Sequence, residues 1–395
     1  MSAATIRDRA AIVGIGQTAF GKSLGRSEYD MALEAILAAC ADAGLSPHDL
    51  DGAVRYDMET TDEENLLAAL GNPELGWFAS SAWGGGGAAS VVVLAATAIA
   101  AGMASTVLVY RSRARGRQSA YGAGAHQGGR YWERLGEAPL AGLNKWHAPH
   151  GLVSAFQEMA MIAMRHRIEY GTTDEQYAEV AVAFRGHAAR NPHAVMRTPM
   201  TIADHHASRL ISDPLRLLDC CLETDGAVAL VLTSAERARD LRQPPAYVLA
   251  GAMAGGGHHV RLSSFYERQR RDDGAPRAAR RLWAMAGVEP KDVDVACFYD
   301  FFTPLVIMAL EDYGFCRPGE GGAFVEKGGL AWPDGRLPCN TNGGQLSEAF
   351  IHGFNNTVEA VRQVRGASTA QVQECALALV AGGNTDPTGA VLLRR

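Results

Sequence analysis

The sequence predicts an α/β protein built from two similar halves, and three observations carry that reading. The segment 41–51 (ADAGLSPHDLD) lines up without a gap against 284–294 (AMAGVEPKDVD), with six of eleven positions identical. A looser echo sets the Gly-rich entry, Ala-rich helix and strand of 84–111 against 343–382. Short apolar runs closed by glycine alternate with stretches of helical period. A repeat of so long a period means duplication of a whole βα module rather than a solenoid. The expectation is two βαβαβ halves, each burying a mostly parallel sheet between helices.

The first half opens on 10–16, a short apolar run closed by glycines, as a buried strand is. Ser27 is placed to cap a helix in which Leu33, Ile36, Leu37 and Cys40 share one face, and Gly44 to end it. From about 112 to 213 the β periodicity lapses into a Gly-, His- and Arg-rich stretch, with amphipathic helices predicted over 156–166 and 174–190. An insertion of that size on a regular scaffold carries substrate contacts or a lid. The run 225–233 then reads as the strand closing the first half. Gln243-Pro244-Pro245 marks the crossing, which assigns the halves to 1–242 and 243–395.

A length of 395 residues exceeds what one simple core needs, in keeping with two halves. The formal charge of −6 provides no basic field for nucleic acid or anionic lipid. The most membrane-like stretch, 88–104, falls short of the ~20 apolar residues of a span. The first residues, Met1 to Arg9, hold no apolar signal core. The seven cysteines, at 40, 220, 221, 297, 316, 339 and 375, show no CxxC spacing. That argues for a reducing compartment, and the expected location is cytoplasmic.

Two motifs read as decoys. The stretch 16–23 (GQTAFGKS) matches the phosphate-cradling GxxxxGK[ST], which needs a helix starting at its lysine, but Leu24-Gly25-Arg26 intervenes before the cap. The stretch 14–19 fits a loose dinucleotide fingerprint and fails for the same reason. The histidines at 126, 147, 150, 258 and 259 lack ligand spacing, so no metal site is expected. No GxSxG elbow supports a serine hydrolase.

The duplicated halves, the opening strand–glycine turn, the strand at 225–232, Asp300-Phe301-Phe302-Thr303 and Asn342-Gly343-Gly344 together carry a resemblance. Over essentially its whole length the chain resembles the sterol-carrier-protein-type branch of the thiolase superfamily. The resemblance implies a thiolase fold in layered α/β/α/β/α arrangement, with a helical loop insertion in the first half. It also implies where a thiolase would carry its chemistry: a nucleophilic Cys near Gly85, a His near Phe350 and a second Cys near Val380 or Ala381. None of these groups stands in this sequence, so cleavage through an acyl-enzyme is not expected.

A thiolase pocket without its Cys still binds CoA and stabilises a thioester enolate, which suits retro-aldol cleavage of a β-hydroxyacyl-CoA. Tyr299, at the end of the strand 293–299, is the first acid/base candidate. The Tyr299-Asp300 pair is similar to that of Cys-less, steroid side-chain-degrading acyl-CoA aldolases, which tend to carry a second Tyr where this chain has Phe350. As a base, a phenol needs its ordinary pKa near 10 lowered, or an acceptor behind it. His352 and Glu348 are the further catalytic candidates. Trp83, Gly85, Asp300, Gly343, Gly344 and Phe350 are expected at the substrate or CoA site. Plainer roles stand beside these: Tyr299 packing at a strand end, Asp300 orienting the adjacent loop, Trp83 filling the nucleophile's former space.

The long insertion and the Gly-rich floor leave room for a large acyl group, so a bulky polycyclic ketone is the expected second product. CoA enters as part of the substrate, and no covalently bound cofactor is expected. The resemblance implies a heterotetramer, a homodimeric core with two small partners of OB fold and zinc ribbon. A non-catalytic acyl-CoA or lipid binder and an acyltransferase subunit remain alternatives.

Overall fold

The computed structural model describes residues 5–72, 74–81, 85–115, 150–152, 154–255, 274–383 and 387–395. The first half runs β1 (Ala10–Gln17), α1 (Glu28–Ala43), β2 (Gly52–Arg55), α2 (Glu63–Ala69), β3 (Trp77–Ser80), α3 (Gly87–Ala100) and β4 (Thr106–Arg113). The insertion follows with α4 (Ala155–Tyr170), α5 (Asp174–Ala188), α6 (Ile202–Ala207) and the small pair β5 (Leu210–Ser212) and β6 (Leu215–Arg216). β7 (Gly226–Ser234) and α7 (Ala235–Ala238) complete the half. The second half runs β8 (Ala246–Ala254), α8 (Gly274–Ala286), β9 (Val295–Phe298), α9 (Thr303–Asp312), α10 (Gly321–Val325), α11 (Gly344–Ser347), α12 (Phe354–Arg365), β10 (Leu377–Ala381) and β11 (Thr388–Arg394).

The strands form one order, β3-β2-β4-β7-β1-β8-β11-β10-β9, joined between the halves by two residue pairs of β1 and β8. Read outward from that joint, β1-β7-β4-β2 repeats as β8-β11-β10-β9. The duplication seen in the sequence is therefore a duplication of topology. A lone parallel bridge from Ala296 to Cys339 stands where the second half would carry its β3. The sheet is mixed, not mostly parallel: β7 lies antiparallel to both β1 and β4, and β11 antiparallel to both β8 and β10. The first half also holds one βα unit more than a βαβαβ core.

The aligned segments do the same work in each half. Pro47–Asp49 and Pro290–Asp292 each form one 3₁₀ turn closed by a reciprocal capping box, with Ser46 and Glu289 as caps. Asp51 then accepts from the amides of Ser105 (2.9 Å) and Thr106 (2.8 Å) at the start of β4. Its counterpart Asp294 accepts from Ala376 (2.8 Å) and Leu377 (2.9 Å) at the start of β10. The identities preserved between the halves mark how a central strand is pinned.

Helix α1 starts and stops as its sequence dictates, with Ser27 accepting from the Asp30 amide and Gly44 left-handed at φ 74°. Its buried face differs from the expected one. Leu37 is 48% exposed, and the face is Met31, Ala32, Ala35, Ile36, Ala39, Cys40 and Ala43. Gly14 and Gly16 are the reason, since a Cβ on either would lie 2.1 Å from the carbonyl oxygen of Ala39 or Ala35. The strand packs on the helix backbone itself, which admits alanine and excludes leucine. The apparent dinucleotide fingerprint is this contact. The apparent phosphate loop is closed as well, because its Leu24 amide donates to Asp225 Oδ2 (2.8 Å).

Period-two alternation sorts the layers. Ala227, Ala229 and Val231 of β7 face α1, while Val228, Leu230 and Leu232 face the middle layer with α3 and α12. The outer face of the second half packs α8 and α9 together with α4 and α5 of the insertion. No helix among the described residues is long and apolar enough to cross a membrane.

Candidate active site

Three strands end at one place. β9 delivers Tyr299, whose amide donates to the carbonyl of Ala381 (2.9 Å) at the end of β10. A Cβ on Gly85 would lie 2.2 Å from Tyr299 Cε1, and one on Gly353 would lie 3.0 Å from Cδ2. The phenol ring is thus held between the entrance of α3 and the N-cap of α12, with Phe301 at 4.8 Å and Phe350 at 6.4 Å between ring centroids. Gly85, Phe350 and Ala381, which lie at or near the places where the resemblance implies a thiolase thiol, imidazole and second thiol (the last near Val380 or Ala381), converge on Tyr299. The Gly-rich floor is not open room. Tyr299 occupies the space over Gly85, and Tyr56 that over Gly87, where a Cβ would lie 2.1 Å from Tyr56 Cε2.

Among the described residues the Tyr299 hydroxyl makes no hydrogen bond. Burial, and then Tyr56 and Cys221, push it well above the ordinary phenol value, while Arg113 pulls the other way. At neutral pH Tyr299 is a neutral phenol, the reverse of the lowered pKa expected of a free phenolate base.

β4 carries the third contribution. Val107 and Val109 face the middle layer, and the same alternation puts Arg111 and Arg113 on that face at the strand's end. Arg111 donates from Nη1 to Glu59 Oε2 (2.9 Å) and from Nε to His352 Nδ1 (3.0 Å). Glu59 also accepts from the Ser112 amide (2.7 Å) and Thr61 Oγ1 (2.8 Å). Arg113 Nη1 lies 2.9 Å from His352 Nε2, and its guanidinium stacks 4.4 Å over the Phe350 ring.

His352 sits at φ 52° with its ring buried beside Tyr56 and Phe350. Burial, then Arg113 and Arg111, hold it well below 6.5, so it is neutral. Its ring nitrogens face the guanidiniums, and none of its hydrogen bonds reaches Tyr299.

Glu348 stands among carboxamides rather than with the phenol: Asn191, Asn342 and Asn355 all donate to it. Burial pushes it up to about 7 against the pull of Arg362 and the amides. Asp300 has no oxygen free for CoA. It accepts from the amides of Gln345 (2.8 Å) and Leu346 (3.2 Å) and from Asn356 Nδ2 (3.1 Å), and burial pushes it up to about 6. A Cβ on Gly344 would lie 2.1 Å from Asp300 Oδ2, and one on Gly343 would lie 2.5 Å from Ala188 Cβ. Asp300, Gly343 and Gly344 therefore shape the turn that carries Glu348 and Phe350, the loop-orienting role. Trp83, His126, His147, His258 and His259 lie outside the described residues. Among the described residues no cluster of His, Cys, Asp or Glu could hold a metal.

Arg111, Arg113, Glu59, Tyr56 and Cys221 escape the sequence reading. One signal was available, since two arginines at period two in a buried strand require partners.

The family model for a thiolase C-terminal domain-like region matches residues 256–393. The chain is 44% identical to a steroid side-chain-cleaving aldolase of Thermomonospora curvata, over 97% of each chain. It is 45% identical to the 17-hydroxy-3-oxo-4-pregnene-20-carboxyl-CoA lyase of Mycobacterium tuberculosis, covering 98% of this chain and 99% of that one. The solved Ltp2-ChsH2(DUF35) aldolase superposes with a TM-score of 0.90 at 42% identity, over 99% of this chain and 98% of that one. The chain belongs to the thiolase superfamily, in the sterol-carrier-protein-type branch that holds these steroid side-chain-cleaving aldolases.

Proposed function

We propose that the protein cleaves a β-hydroxyacyl-CoA thioester, with a steroid side chain as its acyl group, by a retro-aldol reaction that yields a ketone and a shorter acyl-CoA. The observation that carries this reading is the Tyr299 phenol occupying the space over Gly85, where a thiolase holds its nucleophile. A neutral phenol can serve both ends of the reaction. As the Cα–Cβ bond breaks, its oxygen accepts the β-hydroxyl proton and its own proton passes to Cα. The β-carbon becomes the ketone, and the electron pair of the broken bond is held by the thioester as an enolate until Cα is protonated. Proton count and charge balance, no phenolate is required, and the raised pKa keeps Tyr299 in the protonated form from which this exchange starts.

The names of the relatives support the substrate class, and the two-component name of the matched aldolase structure supports a small partner protein, here read as one of OB fold and zinc ribbon. A homodimeric core is supported by β3, an edge strand whose Phe78 is 62% exposed. A cytoplasmic location agrees with seven cysteines, none of which forms a disulfide.

The test mixes the protein, with and without such a partner, with a panel of β-hydroxyacyl-CoAs and follows ketone and short acyl-CoA by mass spectrometry. Paired release of both products is expected. Tight binding of the esters with no release from the complex would leave a carrier instead.

A further inference from the structure

Among the described residues Arg113 is a buried cation with no paired anion. Its side chain is 3% exposed, and no carboxylate among the described residues pairs with it, whereas Arg111 beside it has Glu59. Its Nε makes no hydrogen bond. The hydrogen-bond partner its guanidinium does have among the described residues, His352, is a poor one. Arg111 and Arg113 each point an N–H at a different nitrogen of His352, 3.0 and 2.9 Å away. A neutral imidazole has one lone pair to accept with, and a protonated one has none, so one of the two contacts sets donor against donor. Burial, then Arg115 and Arg111, push the guanidinium down to about 9, which still leaves it charged at neutral pH.

An unpaired charge held in a low-dielectric interior is costly unless an anion arrives. Two further observations place that anion at the reaction centre. Arg113 stacks on Phe350, the residue at the thiolase imidazole position, and it acts electrostatically on Tyr299. The retro-aldol reaction develops negative charge at one oxygen of the substrate, that of the thioester. We propose that Arg113 is the oxyanion-binding residue of the site, taking the thioester oxygen on its free Nε–H as the Cα–Cβ bond breaks. This rests on the retro-aldol reading and divides the labour within it. Tyr299 moves the protons, and Arg113 holds the charge.

The probes are S-carboxymethyl-CoA, whose carboxylate imitates the negative charge of the enolate oxygen, and its neutral isostere S-carbamoylmethyl-CoA. Calorimetry on the protein with its partner should show the carboxylate preferred by at least about tenfold, the scale of a charge-assisted hydrogen bond. In Arg113→Gln that preference should collapse towards unity, and Arg113→Lys should keep part of it. Arg113→Met should raise the melting temperature of the ligand-free protein by a few degrees, because it removes an unpaired buried charge. A structural arginine would lower it.

Unchanged preference in Arg113→Gln overturns the proposal. So does equal weakening of both probes, which would place Arg113 on a CoA phosphate. Binding is read without turnover, so a failed cleavage assay would count against the aldolase reading and not against this one.

Discussion

Gly85 and Tyr299 exclude one another's side chains: a single methyl group on Gly85 would lie 2.2 Å from Tyr299 Cε1 and 2.6 Å from Cζ. The thiolase nucleophile is therefore not merely absent from this site, because the phenol occupies its place. Gly85→Ala should destabilise the protein by about 1–3 kcal/mol, the range for overpacking a filled interior, and displace the ring. Urea denaturation measures the first effect and turnover the second. Gly85→Cys should behave likewise and acquire no thiolase activity.

Tyr299→Phe keeps the ring and its contacts with Gly85, Gly353, Phe301 and Phe350 but loses the proton. Turnover should fall by about 10²–10⁴-fold, the usual worth of one acid/base group. KM for the CoA ester should move little. Steady-state kinetics on a cleaved ester separate the two, and a variant within a factor of two of wild type in kcat would remove Tyr299 from the mechanism.

Glu59 and Arg111 form an ion pair 2.9 Å apart, with the carboxylate side chain fully buried. Glu59→Gln leaves the guanidinium without its counter-charge and should cost about 3–5 kcal/mol. The loss should register in both chemical and thermal denaturation. A change under 1 kcal/mol would mean that water or another carboxylate reaches Arg111.

Two buried carboxyls set a pH dependence of stability. Asp300 is raised from 3.8 to about 6 and Glu348 from 4.5 to about 7, by burial in both cases. Between about pH 4 and 7 the folded state therefore holds more protons than the unfolded one. The stability these groups contribute is complete at the acid end and is lost as pH rises through 6 and 7. Denaturation midpoints taken from pH 5 to 8 should fall towards pH 8. Glu348→Gln should flatten that slope, whatever it does to the absolute value.

The elements that sequence exposes here are those whose cause is local. Ser27 and Gly44 bound α1 by capping alone, and the 284–294 repeat announced a second copy of a turn that closes on itself. Tyr299 was legible as a strand end beside a family pattern. The exposure of Leu37 was not, because it depended on Gly14 and Gly16 bringing β1 onto the helix backbone. The role of Asp300 needed the amides of Gln345 and Leu346, 45 and 46 residues on, and the pairing of Arg111 with His352 spans 241. Glycine was the most misleading letter. Its absence of side chain reads as empty space, and at 85 and 87 that space is filled by tyrosine rings.

Among the described residues, the helices of the insertion reach into the half they do not belong to in sequence. Arg185 donates to Ser347 across 162 residues, Asn191 to Glu348 across 157, and the Trp332 amide to His187 across 145. Contacts so far apart in the chain close late, after the costs of ordering the intervening segments have been met. During synthesis β1 to β7 can pair as soon as they emerge, but Arg185 at the end of α5 lacks its Ser347 partner until α11 has left the ribosome. The candidate site is thus completed only once the second half has been made. A chain released before Asn340 would carry Arg111 and Arg113 on an uncovered strand face, with the side of α3 meant for α12 still bare, which makes it a client for chaperones rather than a half-active enzyme.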